Sequence, residues 1–249
     1  MTMTLETARA EFLEFLKDAD QVCFFTGAGI STESGIPDFR SPGGIWSQYR
    51  IIEIDDFLTS EEARLEDWDR RFHMAELFDS SEPNAAHRFI AQQVRLGRSS
   101  GVITQNIDDL HRRAGLDEAE IVEFHGTGSY AHCMTCRKRH EIADMKEMID
   151  KSNRSPRCSC GGYVKAAVVS FGEAIPQENI NRSVEMIENC NAMVAIGSSL
   201  TVWPAAALLD HAIALGKPLA IINRDETPFD HKATLILNSS AAKLCESLL

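Results

Sequence analysis

Two cysteine pairs and one glycine-rich turn carry much of the chemistry in this chain. Cys133-Met134-Thr135-Cys136 and Cys158-Ser159-Cys160 are separated by 21 residues. Thiolates are soft ligands, and two close pairs can converge on one tetrahedral zinc ion. Gly161-Gly162 follows the second pair and supplies a turn of the zinc-ribbon kind. A redox dithiol is the rival reading, but one Cys-x-x-Cys would suffice for that. Cys133, Cys136, Cys158 and Cys160 are therefore expected to hold a structural ion, with His132 and His140 nearby as substitute ligands. Four protein ligands leave no open position for water. Cys23, Cys190 and Cys245 lie in or beside apolar segments and read as core thiols.

The second feature begins with Val22-Cys23-Phe24-Phe25, an apolar run of the kind found in a buried parallel strand. It breaks at Thr26-Gly27-Ala28-Gly29, where two glycines let the backbone turn sharply and approach a ligand. Ser31 to Ser34 offer helix-start residues whose free N–H groups could hold a diphosphate. This is the layout of a dinucleotide-binding turn, with Thr32 in place of the third glycine. A strand, turn and helix without a ligand has the same outline. Asp38, Phe39 and Arg40 follow a Gly-Ile-Pro that cannot continue a helix, and place an acid, an aromatic and a base on one loop.

The elements that would position these groups are a set of short apolar runs. Val102-Ile103-Thr104 leads into Gln105-Asn106-Ile107-Asp108. Ile121 to Phe124 ends at His125, Ala192 to Ile196 at Gly197-Ser198-Ser199, and Leu219 to Ile222 at Asn223. Ligands of open parallel sheets bind beyond the carboxyl ends of the strands, so these five ends are expected to share one crevice. The stretch Leu5 to Leu16 reads as an acidic amphipathic surface helix. Ile51 to Leu77 is helical in pattern and highly charged, and Asn84 starts a further helix.

At 249 residues and 44% hydrophobic content, the chain suits one large domain with a small insertion. No apolar run approaches the ~20 residues needed to span a bilayer, so no membrane association is expected. A formal charge of −12 argues against nucleic-acid binding. It suits a basic partner such as a lysine-rich tail, and equally serves solubility. The N-terminus lacks the basic start and apolar core of a signal peptide, and a cytoplasmic monomer is expected.

Gly27-Ala28-Gly29-Ile30-Ser31 through Pro37-Asp38-Phe39-Arg40 resembles the first signature of the sirtuins, NAD-dependent protein lysine deacylases. Gln105-Asn106-Ile107-Asp108-x-Leu110-His111 resembles their second, and Phe124-His125-Gly126 their histidine motif. Val169-Ser170-Phe171-Gly172-Glu173 resembles their substrate-clamping strand. Gly197-Ser198-Ser199-Leu200 and Ile222-Asn223 resemble their ribose-binding turns.

The resemblance implies an α/β fold, a Rossmann-like parallel sheet with helices on both faces and a small zinc-ribbon insertion. Residues 1–128 and 168–249 would form the large domain and 129–167 the zinc module, with helices from about 45–90 joining the small lobe. The expected cofactors are NAD and one structural zinc. NAD would be met by Gly27, Ala28, Gly29, Ser31, Asp38, Phe39, Arg40, Gln105, Asn106, Ile107, Asp108, Gly197, Ser198, Ser199 and Asn223. Val169, Phe171 and Gly172 would line the acyl-lysine slot.

In the implied reaction the acyl-lysine amide oxygen displaces nicotinamide, yielding O-acyl-ADP-ribose. Asn106 and Asp108 would position the reactants, Phe39 would shield them, and His125 would act as general base. An ADP-ribosyltransferase or NAD hydrolase on the same scaffold is the alternative, and a non-catalytic NAD sensor the second. Family members that read acidic acyl groups use a Tyr-x-x-Arg pair. The corresponding stretch here, Trp68 to Ala75, has no tyrosine, so short neutral acyl groups are expected; Arg70 or Arg71, turned inward, would be the alternative reader of an acidic group.

Overall fold

The computed structural model describes residues 4–39 and 41–249. Arg40, one of the residues expected to meet the cofactor, lies outside the described residues. In chain order the elements are α1 (Leu5–Lys17), β1 (Val22–Thr26), α2 (Ile54–Thr59), α3 (Glu61–Ser80), α4 (Ala85–Arg95), β2 (Ser99–Thr104), α5 (Leu110–Arg113), β3 (Ile121–Glu123), β4 (Gly126–Cys133), β5 (Arg139–His140), α6 (Ile142–Ser152), β6 (Val164–Val168), α7 (Gln177–Glu188), β7 (Ala192–Ile196), α8 (Ala207–Ala214), β8 (Leu219–Ile222), β9 (Leu235–Leu237) and α9 (Ala241–Glu246).

Alternation along the central strands explains why helices cover both faces. Val22 and Phe24 of β1 join Phe12 of α1, Phe89 of α4 and Leu244 of α9 in one apolar cluster. Cys23 and Phe25 point the other way, into a cluster with Ile187 of α7 and Leu209 of α8. A strand buried on both sides must be apolar at every position, as Val22–Phe25 and Ala192–Ile196 are. The sheet order is β3-β2-β1-β7-β8-β9, and all pairings are parallel. The order reverses between β1 and β7, which makes their carboxyl ends the switch point where a crevice opens.

A second, three-stranded antiparallel sheet, β5-β4-β6, carries the cysteines. Met145 of α6 and Trp68 of α3 pack on it, and Trp68 Nε1 donates to Val164 O at 3.3 Å. The long helix α3 thus belongs structurally to this small sheet.

Three readings change. The sheet has a sixth strand, β9, and the charged stretch after Ile51 is two helices broken at Ser60, whose hydroxyl caps the second. The turn after β1 winds as a 3-10 helix from Ala28 to Ser34, earlier than a helix starting at Ser31. Its path is dictated by contact with the β7 turn. Gly29 N–H donates to Gly197 O at 2.7 Å, and a Cβ on Gly29 would lie 2.7 Å from that same oxygen. Gly197 has φ +60°, and a Cβ there would lie 2.2 Å from Ile30 N. Only glycines allow the two backbones to cross this closely.

Candidate active site and zinc centre

Beyond the carboxyl ends of β1, β2, β7 and β8 lies a cavity of about 440 Å³, within the size range of small-molecule sites. Its wall collects Gly27, Ala28 and Gly29 from the first turn, and Asp38 and Phe39 from the loop after it. Gln105, Asn106, Ile107 and His125 form its floor, with Gly197, Ser198, Ser199 and Asn223 opposite. Val169, Phe171 and Gly172 close one side. Strand ends scattered over almost 200 positions of the chain therefore do meet in one place.

Ser31 and Asp108 do not line this cavity; both are buried behind its wall. Ser31 Oγ donates to Asp108 Oδ2 at 2.7 Å, while Leu110 N–H donates to Asp108 Oδ1 at 3.0 Å. Asn106 Nδ2 bridges outward, donating to Ser31 Oγ (3.2 Å) and Gly27 O (3.1 Å). The carboxylate thus acts on the wall through Asn106. Burial raises its pKa, and the Ser31 hydroxyl partly opposes that shift. Deeper still, His87 Nε2 approaches Ser31 Oγ at 3.5 Å. Its Nδ1 accepts from Asn84 N–H, which closes the capping box of α4.

His125 sits where the floor meets the closing side. Its Nδ1 lies 3.1 Å from Gln105 O. A carbonyl only accepts, so Nδ1 carries the proton and Nε2 is left as an acceptor. Burial lowers the His125 pKa, and the Gln105 carbonyl partly offsets this. The ring is therefore held neutral near pH 7, as a proton acceptor requires. Gln105 is itself fixed by donating from Nε2 to Ser198 Oγ at 2.9 Å. On the other side, Val169 N–H donates to His125 O at 2.8 Å, joining the histidine to the closing segment. That segment is no regular strand. β6 ends at Val168, and beyond it only a single bridge pairs Phe171 with Glu53.

The loop after Ile36 folds inward. Asp38 accepts from Ser41 N–H (2.7 Å) and Ser41 Oγ (2.6 Å), which shapes the turn. Phe39 packs on Trp46 with centroids 5.1 Å apart, and Trp46 reaches Phe171 at 5.9 Å. These three rings form an apolar wall from the loop to the closing segment.

Arg70 and Arg71 of α3, the two arginines whose inward turn would let them read an acidic acyl group, both lie on the cavity wall. A charged helix reads as a solvated face, yet these side chains are 6% and 11% exposed. Both pair with Asp67; Arg71 does so at 3.4 Å, and its Nε has no partner among the described residues. The signal available was Asp67 itself, spaced three and four residues before the two arginines.

In the small sheet, the Sγ atoms of Cys133, Cys136, Cys158 and Cys160 all lie within 4.8 Å of one another. Cys133 and Cys160 approach to 3.5 Å, and Cys136 and Cys158 to 3.7 Å. A tetrahedron with Zn–S of about 2.3 Å has S···S edges of about 3.8 Å, so the four-cysteine cluster fits one structural zinc. The backbone N–H groups of Thr135 and Cys136 each donate to Cys133 Sγ at 3.4 Å, favouring the thiolate that a metal requires. Cys23, Cys190 and Cys245 are buried in the main core, apart from this cluster.

Residues 27–204 match the family model described as the Sir2 family. The chain is 44% identical over 225 residues to an NAD-dependent protein deacetylase of Rhodopseudomonas palustris, covering 90% of this chain and 89% of that protein. It is 36% identical over 244 residues to an NAD-dependent protein deacetylase of Thermotoga maritima, covering 96% of each. The fold matches a solved complex of Sir2 with a p53 peptide and NAD+ at a TM-score of 0.85 and 34% identity, covering 99% of this chain and 97% of that one.

Proposed function

The chain belongs to the Sir2 family, and from that premise we propose how its crevice carries out NAD-dependent removal of acetyl groups from protein lysine side chains. When bound, NAD supplies an electrophilic ribose carbon with nicotinamide as the leaving group. A neutral amide oxygen is a weak nucleophile, so placement by the protein carries much of the first step. Asn106, held by Gly27 O and Ser31, orients the reactants, with Asp108 fixing that arrangement from behind. Gly27, Ala28, Gly29, Asp38, Arg40, Gln105, Ile107, Gly197, Ser198, Ser199 and Asn223 are the remaining cofactor contacts in this reading. Phe39 and Trp46 exclude water from the reacting face. His125 Nε2 accepts a proton from a ribose hydroxyl, and Gln105 O steadies the ring as it becomes charged. Val169, Phe171 and Gly172 receive the acyl-lysine.

One observation carries this reading: His125 donates Nδ1–H to Gln105 O and so keeps Nε2 available as an acceptor on the cavity wall. The small zinc module, residues 129–167 with helices from about 45–90, serves as a scaffold for the histidine and the closing segment, and the rest of 1–128 with 168–249 forms the large domain. The reading further takes the enzyme as a cytoplasmic monomer.

Mass spectrometry after incubation with NAD and an acetyl-lysine peptide tests the function. O-acetyl-ADP-ribose is expected, whereas an ADP-ribosylated target or the absence of any product would refute it. A specific observation also favours a wider acyl range. The Arg71 guanidinium on the cavity wall could meet an acyl group ending in a carboxylate.

A further inference from the structure

The segment that receives the acyl-lysine leaves the small sheet at its last rung. β6 pairs with β4 as far as Val168 opposite Gly126, and no ladder supports Val169 to Gly172. Glu173 N–H donates to Ser170 O at 3.0 Å, and three further backbone contacts hold the segment. Val169 N–H donates to His125 O, Ile54 N–H to Phe171 O (2.9 Å), and Ser170 N–H to Glu173 Oε2 (2.9 Å). The third depends on the position of one carboxylate. That carboxylate is set by Lys165, which is 1% exposed on β6. Its ammonium donates to Val168 O and to the same Glu173 Oε2 at 2.9 Å.

A buried ammonium is costly, and an apolar side chain would fill this position without that cost. Lys165 instead joins the last residue of β6 to the carboxylate that ends the segment. We infer that Lys165 is a positioning residue for acyl-lysine binding. Through Glu173 it holds Val169 to Gly172 at the height where the substrate is received, a task that the sheet ladder does not perform there. This inference rests on the reading above that the segment receives acyl-lysine.

The test compares wild type, Glu173→Gln, Lys165→Met and the double variant. Steady-state rates are measured on an acetyl-lysine peptide, with thermal midpoints and NAD affinity by calorimetry. Glu173→Gln keeps an acceptor for Ser170 N–H but strands the ammonium. The double variant removes both charges, so its stability should recover relative to the single variants. Peptide KM is expected to rise about 10- to 100-fold in every folded variant, the scale of an ångström-sized misplacement. NAD affinity should hold to within about twofold, because the lost interaction is with the peptide. In the double variant KM should stay high although the midpoint recovers. A double variant whose KM returns together with its midpoint would assign the pair to stability alone and overturn the inference. So would a wild-type KM in any folded variant. If a single variant fails to fold, the double variant decides. Absence of turnover by the wild-type protein would overturn the functional reading and this inference with it; turnover with unaltered KM in the variants overturns only the role of Lys165.

Discussion

His111 should make the active-site wall acid-sensitive, by an amount the structure allows to be worked out. The ring is fully buried and sits under β1 and β2. Thr26 Oγ1 donates to Thr104 Oγ1 at 2.8 Å, so His111 Nε2–H donates to Thr26 Oγ1 at 2.9 Å. Nδ1 has no partner among the described residues. Burial pushes the pKa from 6.5 down to about 3. The unfolded chain therefore binds a proton near pH 6.5 that the folded chain refuses until about pH 3. Stability conferred by the neutral ring is fully present above pH 6.5 and is lost as pH falls towards 3. Between pH 7 and pH 5 the loss from His111 is about 2 kcal/mol. For a chain of this size that is roughly 4–8 °C in thermal midpoint. His87, 4.9 Å away ring to ring, has its pKa lowered in the same way and adds to the slope. Asp108 and Glu123, whose pKa values burial raises, act with the opposite sign. The comparison must therefore be between variants. His111→Gln can still donate to Thr26 and does not titrate. Thermal midpoints at pH 7 and pH 5 should fall less for His111→Gln than for wild type, by the amount above. Parallel losses in the two proteins would refute the assignment of the acid-labile group to His111.

Three further outcomes are expected. His125→Ala should suppress deacetylation roughly 10²–10⁴-fold, while exchange of labelled nicotinamide into NAD, which needs no base, falls much less; equal losses would remove His125 from that role. Cys133→Ala should lower zinc content and thermal midpoint together, because metal binding is coupled to folding; full metal content with an unchanged midpoint would show that this thiol is no ligand. An acetyl-lysine peptide should be turned over faster than its succinyl counterpart, and a faster succinyl reaction would transfer the preference to the Arg71 site.

The central sheet was legible because strands buried on both faces, such as Val22–Phe25, must be apolar throughout. β9 was not, since Leu235–Leu237 is a short edge strand in which only Leu237 is fully buried. The site was legible in its cavity-facing members for a related reason: polar residues placed directly after apolar strands had one crevice to enter. Ser31 and Asp108 were identified as important, but their depth was invisible. A sequence does not reveal that a serine hydroxyl turns inward to a carboxylate and leaves Asn106 to face the cavity. The inward turn of Arg70 and Arg71 was visible only as an option, because burial of a guanidinium depends on a partner such as Asp67 and on packing against Trp46, whose ring lies 5.5 Å from Arg70. Lys165 was hidden likewise, since the carboxylate that neutralises it lies eight residues on, across the end of a strand.

The crossing of the Gly29 and Gly197 backbones has a consequence for how this chain can vary. At most core positions an enlarged side chain can be accommodated by shrinking a neighbour. Here an added methyl group at either position meets main-chain atoms, the Gly197 carbonyl in one case and the Ile30 amide nitrogen in the other. No change of side chain elsewhere can remove a main-chain atom, so no second substitution can rescue the first. The two positions are locked together, and combinatorial redesign of the crevice must leave both untouched while it explores the residues around them.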